Sequence, residues 1–444
     1  MIKFNYKSLS KFSTNYTKKT KQLNRVVITG LGSVNPLGLN VENSYQRFKN
    51  MESGIISIKS RQEYKDNPQY PDVYMAPVFE GFDTKKYKVA FSTNNTNMYT
   101  MSAVEEALQD SNLIQLLQEN DQLREKCGVN IGTMSSNITK MTDILLDAGQ
   151  KGFEKLNRMT ILHILANMPA ANVSIKYKLN GPSNTSSTAC ATGASSIGDS
   201  FRQIQMGTAD IMIAGSSEDS ISPTNIHGSL KLQAMSSKKW ASAGQSSRPF
   251  DQQRSGFILG EGSGVLILEE LSHALNRNAK IYCELTGYGQ SSDGYHLTRP
   301  LEDGTWALKS MQNALKDADI PVEDLDHVNC HATSTQAGDT AEANAIQNLL
   351  KNNQDLLKKV TISAIKSQIG HTFGAAGSIE TIFLIKSMEE GLAPGIKNLE
   401  NPIEGYQLNF NKEQMKKQEI NNVIKNAFGF GGVNTSLLFS KFKL

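Results

Sequence analysis

Three residues of the chain are of the types that acyl transfer requires. Cys190 lies in a stretch of small residues, TACATGASS, directly before a helical pattern. His331 and His371 each lie in a loop rich in Gly, Ala and Thr, where a β-rich segment ends. A thiol with two imidazoles can accept an acyl group as a thioester and can stabilise negative charge on oxygen. Together the three residues predict covalent acyl chemistry.

The element that must position Cys190 is a helix over residues 191–206. Its apolar residues recur at spacings of three and four, and a glycine follows its end. These positions are Ala194, Ile197, Phe201, Ile204 and Gly207. Unpaired N–H groups and the dipole favour negative charge at a helix N-terminus, so we expect a lowered pKa for the Cys190 thiol. We also expect the same N–H groups to bind an oxyanion when the sulfur attacks a carbonyl. Position alone leaves a buried structural cysteine as the alternative.

Two strand patterns that resemble each other divide the chain into two halves. The apolar run VVIT at 26–29 leads into TGLG, and KIYCEL leads into TGYG at 286–289. Strands and helices alternate in both halves, which predicts an α/β layered fold with largely parallel sheets and a junction near residue 275. A dinucleotide cradle would need a third glycine where Asn35 stands, so a tight turn after residue 29 is the better interpretation.

Cysteine and histidine spacing argues against a metal site or a disulfide framework. Cys127, Cys190, Cys283 and Cys330 are far apart and form no CxxC pair. The seven histidines have no HxxH or HExxH spacing. We therefore expect no metal and a reducing compartment. No apolar run approaches the 18–20 or so residues that a membrane span requires.

The positive charge of the chain is concentrated at its start. Residues 1–24 contain six lysines and no acidic residue, whereas the net charge of the whole chain is +3. The remainder is therefore slightly acidic, which weakens any nucleic-acid interpretation. A leader rich in Lys, Ser and Thr predicts an organelle transit peptide, with a disordered basic tail as the alternative. Its lack of Arg departs from the usual pattern.

Six motifs, in order along the chain, resemble those of the β-ketoacyl-[acyl-carrier-protein] synthases, a condensing-enzyme group of the thiolase-like superfamily. They are NGPSNTSSTACATGASSIGD around Cys190, SRPFDQQRSGFILGEGSGVLILEE at 247–270, YHLTRP at 295–300, HATSTQAGDTAEANAI from His331, KSQIGHTFGAAGSIE around His371, and NAFGFGGVNTSLLF at 426–439. The resemblance runs from about Arg25 to the C-terminus. Ala332 after the first histidine, and DSISPTNIHGSL at 219–230, look more like the mitochondrial enzymes than the bacterial ones.

The resemblance implies a role for each matching residue. Cys190 would be the acyl-accepting nucleophile, and His331 and His371 would bind the malonyl thioester carbonyl and promote decarboxylation. Lys366 would order the site through an acidic partner. Thr333 and Thr335 would contact the pantetheine arm. Phe430 would supply a backbone N–H to the oxyanion hole, and its side chain would form the gate over the acyl pocket. Glu380 and Gly431 would support the site.

The resemblance also implies the fold and the partners. The fold would be a five-layer α-β-α-β-α structure of two similar halves, residues 25–275 with the cysteine and 276–444 with both histidines. The enzyme would elongate fatty acyl chains by two carbons, as a homodimer in the mitochondrion or a plastid. Its substrates would be fatty acyl and malonyl thioesters on acyl carrier protein, with no cofactor of its own. The stretch IGTMSSNITKM at 131–141 departs from the glycine-rich family pattern near the acyl pocket.

Several other functions remain open at this point, each with a residue that argues against it. A thiolase would have a second cysteine near the C-terminus, whereas the last cysteine here is Cys330. A synthase that starts chains from acetyl-CoA would have Asn in place of His371. A non-catalytic chain-length-factor-like subunit would lack Cys190, and a polyketide synthase module would belong to a far longer chain. A malonyl decarboxylase that does not elongate is a further alternative.

Overall fold

A computed structural model describes residues 23–87, 94–351, 353–412 and 414–443. The predicted transit peptide, residues 1–24, lies almost entirely outside the described residues. The strands are β1 Val26–Val34, β2 Ile56–Ser57, β3 Tyr74–Met75, β4 Cys127–Gly132, β5 Ser183–Asn184, β6 Ile211–Glu218, β7 Gly262–Glu270, β8 Cys283–Ser292, β9 His327–Asn329, β10 Thr361–Ser363, β11 Leu392–Ala393, β12 Asn409–Phe410, β13 Lys416–Lys417, β14 Asn422–Gly429 and β15 Val433–Ser440.

The helices alternate with these strands. They are α1 Val41–Lys49, α2 Gln62–Lys65, α3 Asn95–Asp110, α4 Ile114–Glu119, α5 Asp121–Lys126, α6 Ile138–Lys151, α7 Thr160–Ile164, α8 Met168–Tyr177, α9 Thr192–Gln205, α10 Pro223–Lys231, α11 Leu271–Asn276, α12 Thr305–Ala318, α13 Gln336–Leu349, α14 Gln354–Lys359, α15 Lys366–Ile369 and α16 Ala376–Glu390. Over the described ranges, none of them combines the length and the apolar character that a bilayer span needs.

Eleven strands form one sheet in which the two halves of the chain repeat the same arrangement. The order is β12-β10-β9-β14-β15-β8-β1-β7-β6-β4-β5, with β1 and β8 paired at the centre. Outward from β1, the pairs with β7 and β6 are antiparallel and the pairs with β4 and β5 are parallel. Outward from β8, β15 and β14 are again antiparallel, and β9, β10 and β12 are parallel.

The prediction of largely parallel sheets is therefore wrong for the middle of each half. One cause is visible at β14 and β15, which are joined by only the three residues 430–432. So short a connection can join only antiparallel strands, because a parallel pair needs a crossover of a dozen or more residues. The parallel pairing is confined to the outer strands, and two of these, β9 and β10, lead into the segments that carry the two histidines and Lys366.

The Thr-Gly-x-Gly repeat lies within a strand in both halves, so the predicted turn after residue 29 is also wrong. Strand β1 continues to Val34. A Cβ at Gly32 would lie 1.9 Å from the Ala103 carbonyl oxygen of α3, and one at Gly289 would lie 2.0 Å from the Ser310 oxygen of α12. The glycines are needed because a helix backbone packs directly against each strand at this point.

The layers are five, as the family resemblance implies, with α9 and α16 in the middle. Both helices contact strands of both halves, whereas α3 and α8 cover the outside of the first half and α12 with α13 covers the second. The central core combines residues from β1, α9, β7, β8, α16 and β15, among them Ile28, Ile197, Leu266, Leu285, Ile382 and Phe439. Because α9 begins beside Cys190 and α16 begins near His371, this layer brings the two site segments together.

Candidate active site

A cavity of about 540 Å³ opens beside the N-terminus of α9. Cys190, His331 and His371, which are far apart in the sequence, all line it. Of the other residues predicted for the site, the cavity wall includes Thr333, Thr335 and Phe430. Lys366 and Glu380 lie behind the histidines, where they are 1% and 0% exposed. The structure thus brings the predicted residues to one place, in a cavity wall and the layer directly behind it.

Cys190 is held at a sharp turn between β5 and α9. Ala189 has φ 49°, in the left-handed region that residues with a Cβ rarely occupy, and α9 starts two residues after the cysteine, at Thr192. The backbone N–H groups of Phe430 and of Cys190 itself act on the sulfur and favour its negative charge. Two N–H groups beside a cysteine sulfur can also bind the oxygen of an acyl group attached to it.

The structure contradicts the expected low pKa of Cys190. Burial raises the pKa of this thiol to about 12, although the charge of Lys366 and the two N–H groups act in the opposite direction. The side chain is only 7% exposed, so removal of water from the thiolate outweighs the helix N-terminus. At neutral pH the side chain of Cys190 is therefore the thiol, and an attack by this sulfur would first require loss of its proton.

The two imidazoles face each other across one end of the cavity. Their ring centroids are 5.4 Å apart and the planes are nearly perpendicular. The His331 main-chain N–H donates to Glu342 Oε1 at 2.9 Å, and the His371 N–H donates to the Ile258 carbonyl oxygen at 2.6 Å. These bonds fix the backbone under each ring, so the separation of the rings is set by the fold.

Both imidazoles are neutral. Burial, together with the positive charge of Lys366, lowers the pKa of His331 and of His371 well below the usual value. The proximity of His371 lowers the pKa of His331 further. Two neutral rings can each donate one N–H without being strong enough acids to protonate a carbon nucleophile.

Lys366 sets which nitrogen of His331 carries the proton. Its Nζ lies 3.5 Å from His331 Nδ1 and 2.6 Å from Glu380 Oε1. An ammonium group can only donate, so the neutral ring accepts at Nδ1 and carries its proton on Nε2. Lys366 is buried, so it is not a solvated surface charge of the kind that a lysine at a strand end usually is. Here the geometry gives Lys366 a specific part in preparing His331 as a donor.

The remaining predicted residues lie around the mouth of the cavity. Thr335 caps α13 by accepting from the Gly338 N–H, and the hydroxyls of Thr333 and Thr335 are 3.0 Å apart. Phe430 is 41% exposed, as a side chain that covers an entrance would be. Gly431, with φ 87°, lies in the β14–β15 turn and donates its N–H to the Leu297 carbonyl oxygen.

The stretch 131–141 surrounds a buried carboxylate. Glu218 accepts hydrogen bonds from the hydroxyls of Thr133 and Ser135 and from the Met134 N–H. Burial raises the pKa of Glu218 to about 7. Met134 is the residue of this stretch that lines the cavity. The hydroxyls of Thr133 and Ser135 in this stretch therefore bind Glu218 behind the cavity wall.

Two buried charged residues of the site were missed in the sequence. Glu342 accepts from the main-chain N–H groups of His331 and Ala332. Lys425, in the middle of β14, is 0% exposed and lies 2.6 Å from Glu380 Oε2. The sequence does contain a signal for Lys425. It stands within the otherwise apolar strand pattern NVIKNAF, where a lysine is rarely buried unless it is paired.

Known proteins share both the sequence and the fold of the chain. The family models for the N-terminal and C-terminal domains of beta-ketoacyl synthase match residues 23–274 and 282–400. The mitochondrial 3-oxoacyl-[acyl-carrier-protein] synthase of Arabidopsis thaliana is 39% identical over 94% of this chain and 93% of its own length. The 3-oxoacyl-[acyl-carrier-protein] synthase 2 of Rhizobium meliloti is 36% identical over 95% of this chain and 99% of its own length.

A solved structure agrees with these sequence matches. A type II polyketide ketosynthase in complex with its acyl-carrier protein has a TM-score of 0.85 and 28% identity, and the match covers 95% of this chain and 100% of that chain. The two family models together span both halves of the chain up to residue 400, including the segments of Cys190, His331 and His371. The chain therefore belongs to the beta-ketoacyl synthase family and is an acyl-transferring condensing enzyme.

Proposed function

We propose that the enzyme elongates a fatty acyl chain by two carbons, by decarboxylative condensation with a malonyl thioester on acyl carrier protein. The observation that carries this proposal is the arrangement of Cys190, His331 and His371 around one cavity, with the sulfur under two N–H groups. The thiol supplies the site for the growing chain, and the imidazoles supply donors for the incoming unit.

The first step transfers the acyl group to Cys190. The thiol loses its proton as the sulfur attacks the acyl carbonyl, and a new C–S bond forms. The N–H groups of Cys190 and Phe430 stabilise the oxyanion. The C–S bond to the carrier then breaks, and the departing pantetheine sulfur takes up a proton. Because the pKa of Cys190 is raised to about 12, proton removal from this thiol is part of the barrier.

The second step generates the carbon nucleophile. The bond between the malonyl carboxylate and the methylene carbon breaks, CO₂ leaves, and the electron pair becomes an enolate on the thioester. His331 Nε2–H and a ring N–H of His371 stabilise the charge on the enolate oxygen. One such donor typically contributes about 3–4 kcal/mol to transition-state stabilisation.

The third step joins the two units. The enolate carbon attacks the acyl carbonyl on Cys190, and the C–S bond to the enzyme breaks. The sulfur takes up a proton, and the product is a 3-oxoacyl thioester, two carbons longer, on the carrier. The residues supply nucleophile and donors, so the proposal assigns no cofactor beyond the phosphopantetheine arm of the carrier. Thr333 and Thr335, with hydroxyls at the cavity, are proposed to contact that arm.

The proposed partners have support in the relatives. The structure of a polyketide ketosynthase of similar fold was solved in complex with an acyl-carrier protein. We propose a partner of the same class, an acyl carrier protein, for this chain. We also propose a homodimer, because β5 is an exposed edge of the sheet and exposed apolar side chains cluster in residues 145–175. Light scattering of the purified chain tests this proposal, and a mass equal to one chain would contradict it.

The mitochondrion is the proposed location. The Arabidopsis relative is named a mitochondrial enzyme, and the basic leader without acidic residues is typical of import signals. A fluorescent protein fused to residues 1–40 should therefore collect in mitochondria. Accumulation in a plastid or in the cytosol would contradict the proposal.

A product analysis with the purified chain tests the function. With acyl-ACP and malonyl-ACP, we expect equal amounts of CO₂ and of a 3-oxoacyl-ACP that is two carbons longer than the acyl substrate. Mass spectrometry of the carrier and trapping of the gas measure the two products. CO₂ without the longer product would indicate a decarboxylase only. Condensation of two acetyl-CoA molecules without malonyl-ACP would indicate a thiolase.

A further inference from the structure

Lys425 is the one buried lysine of the site for which the sequence provides no role. Its side chain is 0% exposed on β14, and its Nζ lies 2.6 Å from Glu380 Oε2 and 2.8 Å from the Asn426 carbonyl oxygen. A buried ammonium group is costly unless it is paired, and removing one partner of such a pair is strongly destabilising. This position therefore needs its carboxylate partner.

Glu380 joins two lysines through its two carboxylate oxygens. Oε1 lies 2.6 Å from Lys366 Nζ and Oε2 lies 2.6 Å from Lys425 Nζ, with all three side chains at most 1% exposed. Helix α16 carries Glu380, α15 carries Lys366 and β14 carries Lys425. If one oxygen lost its partner, the carboxylate could rotate, and the contact between Lys366 and His331 Nδ1 would no longer be fixed.

We propose that Lys425 is a positioning residue for the condensing reaction. It acts through Glu380 and Lys366 on the orientation of His331 and on which ring nitrogen carries the proton. The inference rests on the proposed function, because it assigns a role in the decarboxylation step. Lys425 does not line the cavity and touches no substrate. Its effect passes through two ion pairs and one contact of 3.5 Å.

The surrounding charges give the inference a measurable direction. The titratable groups that bear on His331 include Lys366, Lys425 and His371, with Glu380 paired to both lysines and Glu342 at the His331 backbone. The charge of Lys425 contributes to the lowered pKa of both histidines. Removal of this charge therefore raises both pKa values. Because the neutral rings are the active forms, the acid limb of the rate profile then moves to higher pH.

The test is Lys425→Met, which keeps an unbranched side chain only one atom shorter and removes the charge. We expect kcat for malonyl-ACP decarboxylation to fall about 10- to 100-fold, as displacement of a catalytic group costs. KM should change little, and the acid limb should move to higher pH. Lys425→Gln, which can still donate to Glu380 and disturbs folding less, should show the same shift of the acid limb.

A matched control separates this role from a purely structural one. Arg277→Met also removes the partner of a buried carboxylate, because Arg277 Nε lies 2.6 Å from Glu269 Oε1, but this ion pair lies outside the cavity and Arg277 is only partly buried. It should lower the unfolding midpoint and leave kcat and the pH profile unchanged. If both Lys425 variants behaved like this control, the inference would be wrong, although the wild-type activity would still support the proposed function.

A double-mutant cycle tests the route through Glu380. If Lys425 acts through this carboxylate, Lys425→Met in a Glu380→Gln background should cause little further loss of kcat. Independent, multiplicative losses would overturn the proposed route. A wild-type chain without condensing activity would instead contradict the proposed function itself, so the two failures are distinguishable.

Discussion

Cys190→Ala should abolish condensation and leave malonyl-ACP decarboxylation in place. Without the sulfur no acyl-enzyme thioester can form, and loss of a covalent nucleophile commonly costs at least about 1000-fold in rate. The donors for the enolate belong to His331 and His371, whose backbones are held by Glu342 and Ile258 and not by the cysteine. Mass spectrometry of the carrier and measurement of released CO₂ follow the two reactions separately.

The control for this variant is Cys283→Ala. Cys283 is also fully buried, but it lies in the central core on β8 and does not line the cavity. Its loss should reduce stability and retain elongation. If Cys190→Ala continued to produce 3-oxoacyl-ACP, the assignment of the nucleophile would be wrong.

His371→Ala should reduce malonyl decarboxylation by about 100- to 1000-fold, which corresponds to one missing donor of about 3–4 kcal/mol. The ring is 2% exposed, and the rings of Phe257 and Phe373 lie 5.5 and 5.4 Å from it. Water that enters the vacated space is a poor substitute for a donor that is already oriented. Release of CO₂ from malonyl-ACP under single-turnover conditions measures the loss.

Transfer of the acyl group to Cys190 should persist in this variant, because the oxyanion donors for that step are the N–H groups of Cys190 and Phe430. Labelled acyl-ACP should therefore still acylate the enzyme. His227→Ala is the control, since His227 is exposed and lies outside the cavity wall. Undiminished CO₂ release from His371→Ala would remove His371 from its assigned role.

Local patterns in the sequence predict the elements that carry the site closely. The helix expected over 191–206 is found at Thr192–Gln205, and the motif NAFGFGGVNTSLLF at 426–439 falls in the strands Asn422–Gly429 and Val433–Ser440 and the turn between them. These elements have strong apolar periodicity and clear stops at glycine, so local chemistry is enough to identify them.

Properties that depend on distant parts of the chain were not predictable in this way. The helix N-terminus predicts a low pKa for the thiol, but burial raises it, and the cavity beside the thiol is lined in part by His371 and Phe430 of the second half of the chain. Strand β1 continues past Gly30 and Gly32 because α3 packs on those glycines. The pairing of Lys425 with Glu380 likewise depends on how β14 meets α16.

The shared middle layer has a consequence for synthesis of the protein. Helix α9 is complete when residue 205 has been made, but α16, which packs beside it, begins only at residue 376. Until α16 has been made, the apolar side of α9 that packs against it has no partner. Chains are synthesised at only about 5–20 residues per second. The nascent polypeptide must therefore be shielded from aggregation for many seconds before its interior can close.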